Sequence, residues 1–315
     1  MKLLSILLIL FFVSSYAKDI TPYRYVTASE AVSDFIKVGD TLIIGTEEGV
    51  VDIYDLKEDK LIDKITLPKV KDIWGEYMRP LIFSVDYLDG RLVFVVRIIS
   101  GWREFYLYEN KKLTKLVNAS QRMTLQEVKF IDKDRVIFGT MGNEVMLYDL
   151  NAKKFIYRVE LNQASFSDLV LSEDKKYVYS ADESPLISKL LVESGKILQE
   201  FKKVNKRDIF SIDYKNGLLL SGGKDKRVIL YETPDKHKMT KGEFFIYAVG
   251  LNPKATKAAF VKNESDEISV IDTKSLKEIY LLKGHKQTVI KIDFFGENEI
   301  LSADEANRLM FWKLE

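Results

Sequence analysis

The side chains best suited to acid–base or metal chemistry are few in this sequence of 315 residues. It has two histidines, His237 and His285, and no cysteine. His285 follows Gly284, and we interpret this pair as part of a structural repeat. His237 lies between Lys236 and Lys238, a setting that suits neither a metal ligand nor a base beside a carboxylate. The sequence therefore excludes a multi-histidine metal site, thiolate ligands, thiol nucleophiles and disulfides.

Carboxylates are numerous but scattered along the chain. We interpret six aspartates as strand-end or turn residues, the usual structural place for this side chain: Asp52, Asp55, Asp149, Asp213, Asp272 and Asp293. Loop acids from different units can converge on Ca²⁺, but the sequence has no aspartate-rich calcium loop. It also has no GxSxG, P-loop or GxGxxG motif. We predict no catalytic residue, no metal site and no cofactor.

One segment combines aromatic and basic residues and is the best candidate for a binding site. Residues 66–80 read TLPKVKDIWGEYMRP, and a predicted turn at residues 99–103 extends the same surface. Trp, Tyr, Met and Arg are enriched at protein interfaces. The predicted partner-binding residues are Trp74, Tyr77, Met78, Arg79, Trp102 and Arg103. The alternative is a loop whose aromatic side chains pack back against its own domain.

The predicted strands that carry these residues recur along the chain. A strand-like ending such as Tyr148-Asp149-Leu150 occurs seven times, starting at residues 54, 108, 148, 190, 231, 271 and 312. The steps are 54, 40, 42, 41, 40 and 41 residues, and the first is lengthened by the segment at 66–80. A period of about 40–45 residues with several short strands is typical of a β-propeller blade. We predict an all-β fold, a seven-bladed β-propeller.

The two ends of the predicted propeller belong together. The seventh unit ends after three strands, and Tyr23 to Val26 has a strand pattern that would supply the fourth. Pairing both chain ends in one blade closes the ring and leaves no open edge. The predicted organisation is a signal peptide at residues 1–17 and one propeller domain at residues 18–315.

The first residues have the pattern of a secretory signal peptide. Lys2 precedes an apolar stretch from Leu3 to Val13, and cleavage is predicted after Ala17. The alternative, an uncleaved anchor, is disfavoured because the stretch is short for a bilayer. The absence of cysteine favours a bacterial periplasmic protein. The chain has 48 basic and 47 acidic residues, so we expect no nucleic-acid partner. Because the leader is predicted to be cleaved, we also expect no stable membrane anchor after cleavage.

Several segments resemble WD40 repeats. Gly284-His285, Leu301-Ser302-Ala303 and Phe311-Trp312 follow the WD40 order, and residues 221–231 repeat it with Tyr231 in the tryptophan position. The sixth unit is similar instead to the YVTN repeats of bacterial periplasmic propellers. Ala306 replaces the WD40 turn aspartate and Asn205 replaces the histidine. We therefore expect the hydrogen-bonded network typical of WD40 blades to be incomplete.

The leader, the length and the irregular WD40-like units also resemble the NapL family, propeller-type accessory proteins of the periplasmic nitrate reductase system. This resemblance implies a non-catalytic protein-interaction or assembly platform whose partner is another periplasmic protein, with nitrate reductase subunits as candidates. One alternative is a metal-dependent, lactonase-like propeller hydrolase. Another is an outer-membrane protein assembly subunit, a family usually tethered by an acylated cysteine that this chain lacks.

Overall fold

A computed structural model of the protein describes residues 17–71, 74–98 and 101–315. Residues 1–16 of the predicted signal peptide lie outside the described residues, as do Asp72, Ile73, Ile99 and Ser100. Within the described ranges the helical structure is one 3₁₀ turn, Ala119–Gln121, and no helix has the length and apolarity needed to cross a membrane.

Seven sheets form the blades of the described chain, each with four antiparallel strands, and one of them gains a fifth, parallel strand at its outer edge. Consecutive strands lie side by side within each blade, except where the N-terminal strands join blades 6 and 7. Blade 1 contains β3 (Val32–Val38), β4 (Thr41–Thr46), β5 (Val50–Asp55) and β6 (Lys60–Thr66). A separate hairpin follows, β7 (Val70–Lys71) and β8 (Tyr77–Met78). Blade 2 contains β9 (Leu81–Leu88), β10 (Arg91–Arg97), β11 (Arg103–Glu109) and β12 (Lys112–Val117). Blade 3 contains β13 (Leu125–Phe130), β14 (Arg135–Thr140), β15 (Glu144–Asp149) and β16 (Lys154–Glu160).

The remaining blades repeat this order from the inner to the outer strand. Blade 4 contains β17 (Phe166–Leu171), β18 (Tyr177–Asp182), β19 (Ile187–Leu191) and β20 (Ile197–Phe201). Blade 5 contains β21 (Ile209–Lys215), β22 (Leu218–Gly223), β23 (Arg227–Thr233) and β24 (Lys236–Lys241). Blade 6 contains β25 (Val249–Leu251), β26 (Lys257–Val261), β27 (Ile268–Asp272) and β28 (Glu278–Leu282). Blade 7 contains β29 (Val289–Phe294), β30 (Glu299–Asp304) and β31 (Arg308–Lys313). The seven-bladed β-propeller is confirmed.

The N-terminal segment closes the ring as predicted and also adds a strand to a second blade. Strand β2 (Arg24–Thr27) is the outer strand of blade 7 and pairs antiparallel with β31, placing Val26 opposite Leu309. Strand β1 (Lys18–Ile20) adds to the outer edge of blade 6, parallel to β28. One segment therefore protects the edges of two neighbouring blades, an arrangement that blocks pairing with other chains.

The core lies between the blades, where the faces of neighbouring sheets pack together. In the third blade Phe138 and Tyr148 meet Phe105 of the second blade edge to face, with ring centroids 4.8 and 5.8 Å apart. Gly139 admits a large side chain from the next blade, because a Cβ there would lie 2.2 Å from the Phe166 ring. Close packing of this kind couples each blade to its neighbour.

Carboxylates on the inner strands connect most blades around the central channel. Each accepts a hydrogen bond from a backbone amide of the following blade. The pairs are Asp34 with Val85 (2.9 Å), Asp86 with Phe130 (2.5 Å), Glu127 with Leu169 (3.0 Å), Asp168 with Ile212 (2.7 Å) and Asp213 with Leu251 (2.8 Å). We call these residues the carboxylate belt. They satisfy amides at the inner sheet edges that would otherwise be buried without a partner.

The last two junctions of the ring differ from the others. Between blades 7 and 1 a lysine replaces the carboxylate, and Lys291 donates to the Phe35 carbonyl (2.6 Å) and to Asp34 (2.7 Å). Between blades 6 and 7 the inner strand carries Gly250. A Cβ there would lie 2.9 Å from the Ile292 carbonyl oxygen, so the backbones approach too closely for a side chain.

The interpretation of six aspartates as strand-end or turn residues is confirmed for three of them. Asp55, Asp149 and Asp272 are each the last residue of the third strand of a blade and accept hydrogen bonds from the next turn. It is wrong for Asp52 and Asp213, which lie inside strands, and Asp293 lines the channel from β29. Asp213 and Asp293 lie on inner strands, so their side chains meet the channel and not a hydrophobic core. Asp52 lies on the third strand of blade 1 and accepts hydrogen bonds from the Ser29 amide and hydroxyl (2.7 and 2.8 Å).

Candidate functional site

The predicted binding residues lie at one end of the propeller. Strands alternate in direction, so the connection from an outer strand to the next inner strand opens on the same end as the turn between the second and third strands. The hairpin of β7 and β8 is the first kind of connection, and the turn before Trp102 is the second kind. Both therefore belong to one face, next to blade 2.

The hairpin carries its large side chains toward solvent. Trp74, Tyr77 and Met78 are 82%, 63% and 51% exposed, and Lys71 lies over the Tyr77 ring with its Nζ 5.2 Å from the centroid. Arg79 is partly exposed at the end of the hairpin. Exposed large apolar groups that lie close together are characteristic of interaction surfaces.

The base of the hairpin is seated on blade 1. Gly49 has a φ of +70°, and a Cβ there would lie 2.9 Å from the Pro80 carbonyl oxygen. Only glycine accepts both this backbone conformation and this contact without strain. The C-terminal end of the hairpin is therefore packed against the turn between β4 and β5.

Trp102 and Arg103 lie deeper than the hairpin residues. Trp102 is partly buried and Arg103 is 4% exposed. The Arg103 guanidinium lies on the Phe83 ring, 4.4 Å from its centroid. Exposure thus differs sharply among the six predicted residues: three are open on the hairpin, two are partly covered and Arg103 is buried. Their role in partner binding stays a prediction.

The central channel is the second feature that could hold a ligand. It encloses about 420 Å³. The ionisable side chains that line it are Asp34, Asp86, Glu127, Lys129, Asp168, Asp213, Lys215, Lys291 and Asp293. Ion pairs connect several of them, including Lys129 with Glu127 (2.8 Å) and Lys291 with Asp34 (2.7 Å).

The channel carboxyls differ in their ease of ionisation. Burial together with the Glu127 charge raises the pKa of Asp168 to about 7. Burial also raises the pKa of Asp86 and Asp293. Burial acts on Asp34 in the same direction, but Lys291, Lys129 and the Val85 amide together outweigh it and hold the pKa of Asp34 below its usual value. The positive groups of the channel therefore offset the effect of burial on the pKa of Asp34 but not on the pKa of Asp86, Asp168 or Asp293.

A lactonase-like hydrolase would use such acids to hold a metal ion. Among the residues that the structure describes, no three His, Cys, Asp or Glu side chains are grouped to do so. The belt carboxylates bind backbone amides instead, which accounts for their position through the fold alone.

Blade 7 contains the hydrogen-bonded network that the sequence predicts to be incomplete, and that prediction is wrong. His285 contacts Asp304 through Nδ1 (2.9 Å) and Ser302 through Nε2 (2.7 Å), and Trp312 donates to Ser302 (2.8 Å). Asp304, at the end of β30, replaces the turn aspartate missing at Ala306. The sequence signal for Asp304 is the tetrapeptide Ser-Ala-Asp-Glu, which occurs both at residues 180–183 and at residues 302–305.

Blade 5 forms a related network with different side chains. Asn205 takes the histidine position and donates to the Tyr231 hydroxyl (3.0 Å), while Ser221 donates to Asn205 (3.3 Å). Asp225 in the turn accepts from the Lys206 amide (2.8 Å). These networks are internal to their blades, so His285 and Asn205 have structural roles.

Comparison with known proteins gives one informative relative. No family model matches the sequence. The E3 ubiquitin-protein ligase COP1 of Arabidopsis thaliana is 23% identical over 148 residues, which are 45% of this chain and 22% of that protein. The match therefore spans less than a quarter of the length of the relative. The protein is therefore a seven-bladed β-propeller, and its weak sequence similarity is to a WD40-type protein.

Proposed function

We propose that this protein is a non-catalytic scaffold that binds another protein through the face next to blade 2. The observation that carries the proposal is the anchored hairpin with exposed Trp74, Tyr77 and Met78. Burying such side chains against a partner removes apolar surface from water at little entropic cost, because the base of the hairpin is already fixed.

We further propose that the scaffold acts in the periplasm as an accessory factor for nitrate reductase maturation or assembly. The leader sequence and the resemblance to the NapL family support this step. Its first test is mass spectrometry of the protein purified from its own host. A mature chain that begins at Lys18 supports export, and an intact N-terminus at Met1 overturns it.

Affinity capture of the tagged mature protein from its own periplasm tests the partner. We expect nitrate reductase subunits to copurify with the wild type and to be lost from the variant Trp74→Ala with Trp102→Ala. Met141→Ala is the matched control, because Met141 is 49% exposed in the corresponding turn of blade 3 and on the same face. Equal capture by the double variant would contradict the surface, and capture without reductase subunits would contradict the partner.

A further inference from the structure

Two arginines share one aromatic ring on blade 2. The guanidinium carbons of Arg103 and Arg97 lie 4.4 and 5.5 Å from the centroid of Phe83. The two residues are direct cross-strand partners on β11 and β10. Like charges in directly opposed positions repel each other. Phe83 also lines the central channel.

The carboxylates of this blade do not neutralise the pair. Within the described residues, the ion pairs of blade 2 are Arg91 with Glu109 (2.9 Å) and Lys115 with Glu104 (2.7 Å). Glu104 also accepts from the Tyr106 hydroxyl, which leaves its oxygens engaged away from the arginines. The cluster therefore carries two positive charges that the described part of the blade does not balance.

Arg103 has an unused donor in addition to its unbalanced charge. It is 4% exposed, and among the residues that the structure describes its Nε–H has no hydrogen-bond partner. Nη1 donates to the Gly101 carbonyl, so the edge formed by Nε and Nη2 is the one left for another acceptor. Burial and the nearby Arg97 lower the pKa of Arg103 to about 10. A buried cationic donor without an acceptor is costly unless a ligand supplies one.

An arginine at the same place in another blade gives the comparison. Arg227 is the first residue of β23, as Arg103 is of β11. Its Nε lies 3.5 Å from Asp225, two residues earlier in the chain, and its Nη1 donates to the Val204 carbonyl (2.6 Å). Two residues before Arg103 stands Gly101. Blade 5 thus supplies its own carboxylate where blade 2 does not.

We propose that Arg97 and Arg103, held on Phe83, bind a carboxylate of an acidic peptide segment of the partner protein. This inference rests on the proposed function and names the chemistry of its ligand. The exposed Arg97 makes the first contact, and the carboxylate bridges to the Nε–Nη2 edge of Arg103. A guanidinium edge and a carboxylate match in a bidentate geometry. The exposed hairpin next to blade 2 covers the apolar part of the same segment.

The test uses the mature ¹⁵N-labelled protein and two capped peptides, hexaglutamate and hexaglutamine. We expect hexaglutamate to shift the Nε–Hε resonances of Arg97 and Arg103 and to leave that of Arg227 unchanged, whereas hexaglutamine shifts none. Arg97→Gln should weaken hexaglutamate binding at least tenfold. Since Arg97 is exposed, this variant should fold normally. Unmoved arginine resonances at saturating peptide, or wild-type affinity in Arg97→Gln, would overturn the proposal.

A third titration with inorganic phosphate distinguishes carboxylate recognition from a general oxyanion site. Stronger shifts with phosphate than with hexaglutamate would overturn the assignment to an acidic peptide. The capture experiment separates this inference from the proposed function. If partner capture depends on Trp74 but is unchanged in Arg97→Gln, the scaffold proposal stands and the carboxylate site fails. If hexaglutamate binds as expected but no protein is captured, the site stands and the scaffold fails.

Discussion

The carboxylate belt and the blade-2 face use charge in opposite ways. In the belt, Asp34 accepts from the Val85 amide and pairs with Lys291, so a buried charge has partners inside the protein. On the blade-2 face, Arg97 and Arg103 lie together on Phe83, and the Nε–H of Arg103 has no acceptor in the described part of the chain. Removal of one partner from a buried charge pair leaves the other charge uncompensated and destabilises the fold, whereas a buried donor without an internal partner suits binding. Substitutions in the two regions should therefore have opposite consequences.

The largest effect is expected where a belt charge is removed. Asp34→Ala takes the acceptor from the Val85 amide and the ion-pair partner from Lys291, and should lower the free energy of unfolding by about 3–5 kcal/mol. Urea unfolding followed by circular dichroism measures it. Glu193→Ala removes an exposed partner of Arg135 and should cost far less. Similar losses of unfolding free energy in both variants would show that the buried belt charge stabilises the fold no more than an exposed ion pair does.

The second effect concerns the pH dependence of stability. Because the pKa of Asp168 is raised to about 7, the folded protein keeps a proton there that the unfolded chain loses near pH 4. The free energy of unfolding should therefore fall as the pH rises from about 4 to about 7, by about 2–4 kcal/mol from this group.

Asp168→Asn isolates that contribution, since asparagine retains an acceptor oxygen but does not titrate. Thermal unfolding of wild type and variant across this pH range should show the wild type losing stability relative to the variant as the pH rises. If the stabilities of wild type and variant change with pH in parallel, the raised pKa of Asp168 is contradicted. The charge of Asp168 would then be compensated in the folded protein, as that of Asp34 is.

The third effect tests the network in blade 7. Asp304→Ala removes the carboxylate that contacts His285 and leaves a buried imidazole nitrogen without this partner. The free energy of unfolding should fall by about 1–3 kcal/mol. Glu305→Ala, one residue later and exposed, is the control for the turn. Equal stability of the two variants would mean that the network does not stabilise the blade.

The smallest effect on stability is expected on the blade-2 face. Arg103→Met removes a buried charge with an unused donor, so the free energy of unfolding should stay within about 1 kcal/mol or increase. Arg227→Met at the corresponding place leaves Asp225 without its ion-pair partner and should destabilise by about 1–3 kcal/mol. Chemical denaturation compares the two. A larger loss in Arg103→Met would reverse the contrast between paired and unpaired arginines.

Much of the fold was readable from the sequence because its signals are local. Apolar runs such as Val228 to Tyr231, separated by glycine-rich turns, specify individual strands, and their spacing counts the blades. The closing strand was predictable because the seventh unit lacks a fourth strand. Strand β1 was missed, since three residues carry no pattern and pair only because β28 offers an edge.

The site was less predictable than the fold. The belt carboxylates sit in strands, and only the closed ring turns those positions toward a channel. Asp304 was overlooked because the expected position, two residues later, is alanine. Arg103 was chosen for its residue type, but its burial and its position on Phe83 depend on the cross-strand register. These properties arise between distant segments, where sequence patterns give no information.

Site-specific photo-crosslinking in living cells tests most directly that the blade-2 face is the binding surface. A benzophenone side chain would replace Tyr77 on the hairpin or Ile156 on the outer strand of blade 3, two residues that are 63% and 46% exposed. We expect a discrete protein adduct from position 77 and none from position 156. Adducts from position 156 alone would contradict it.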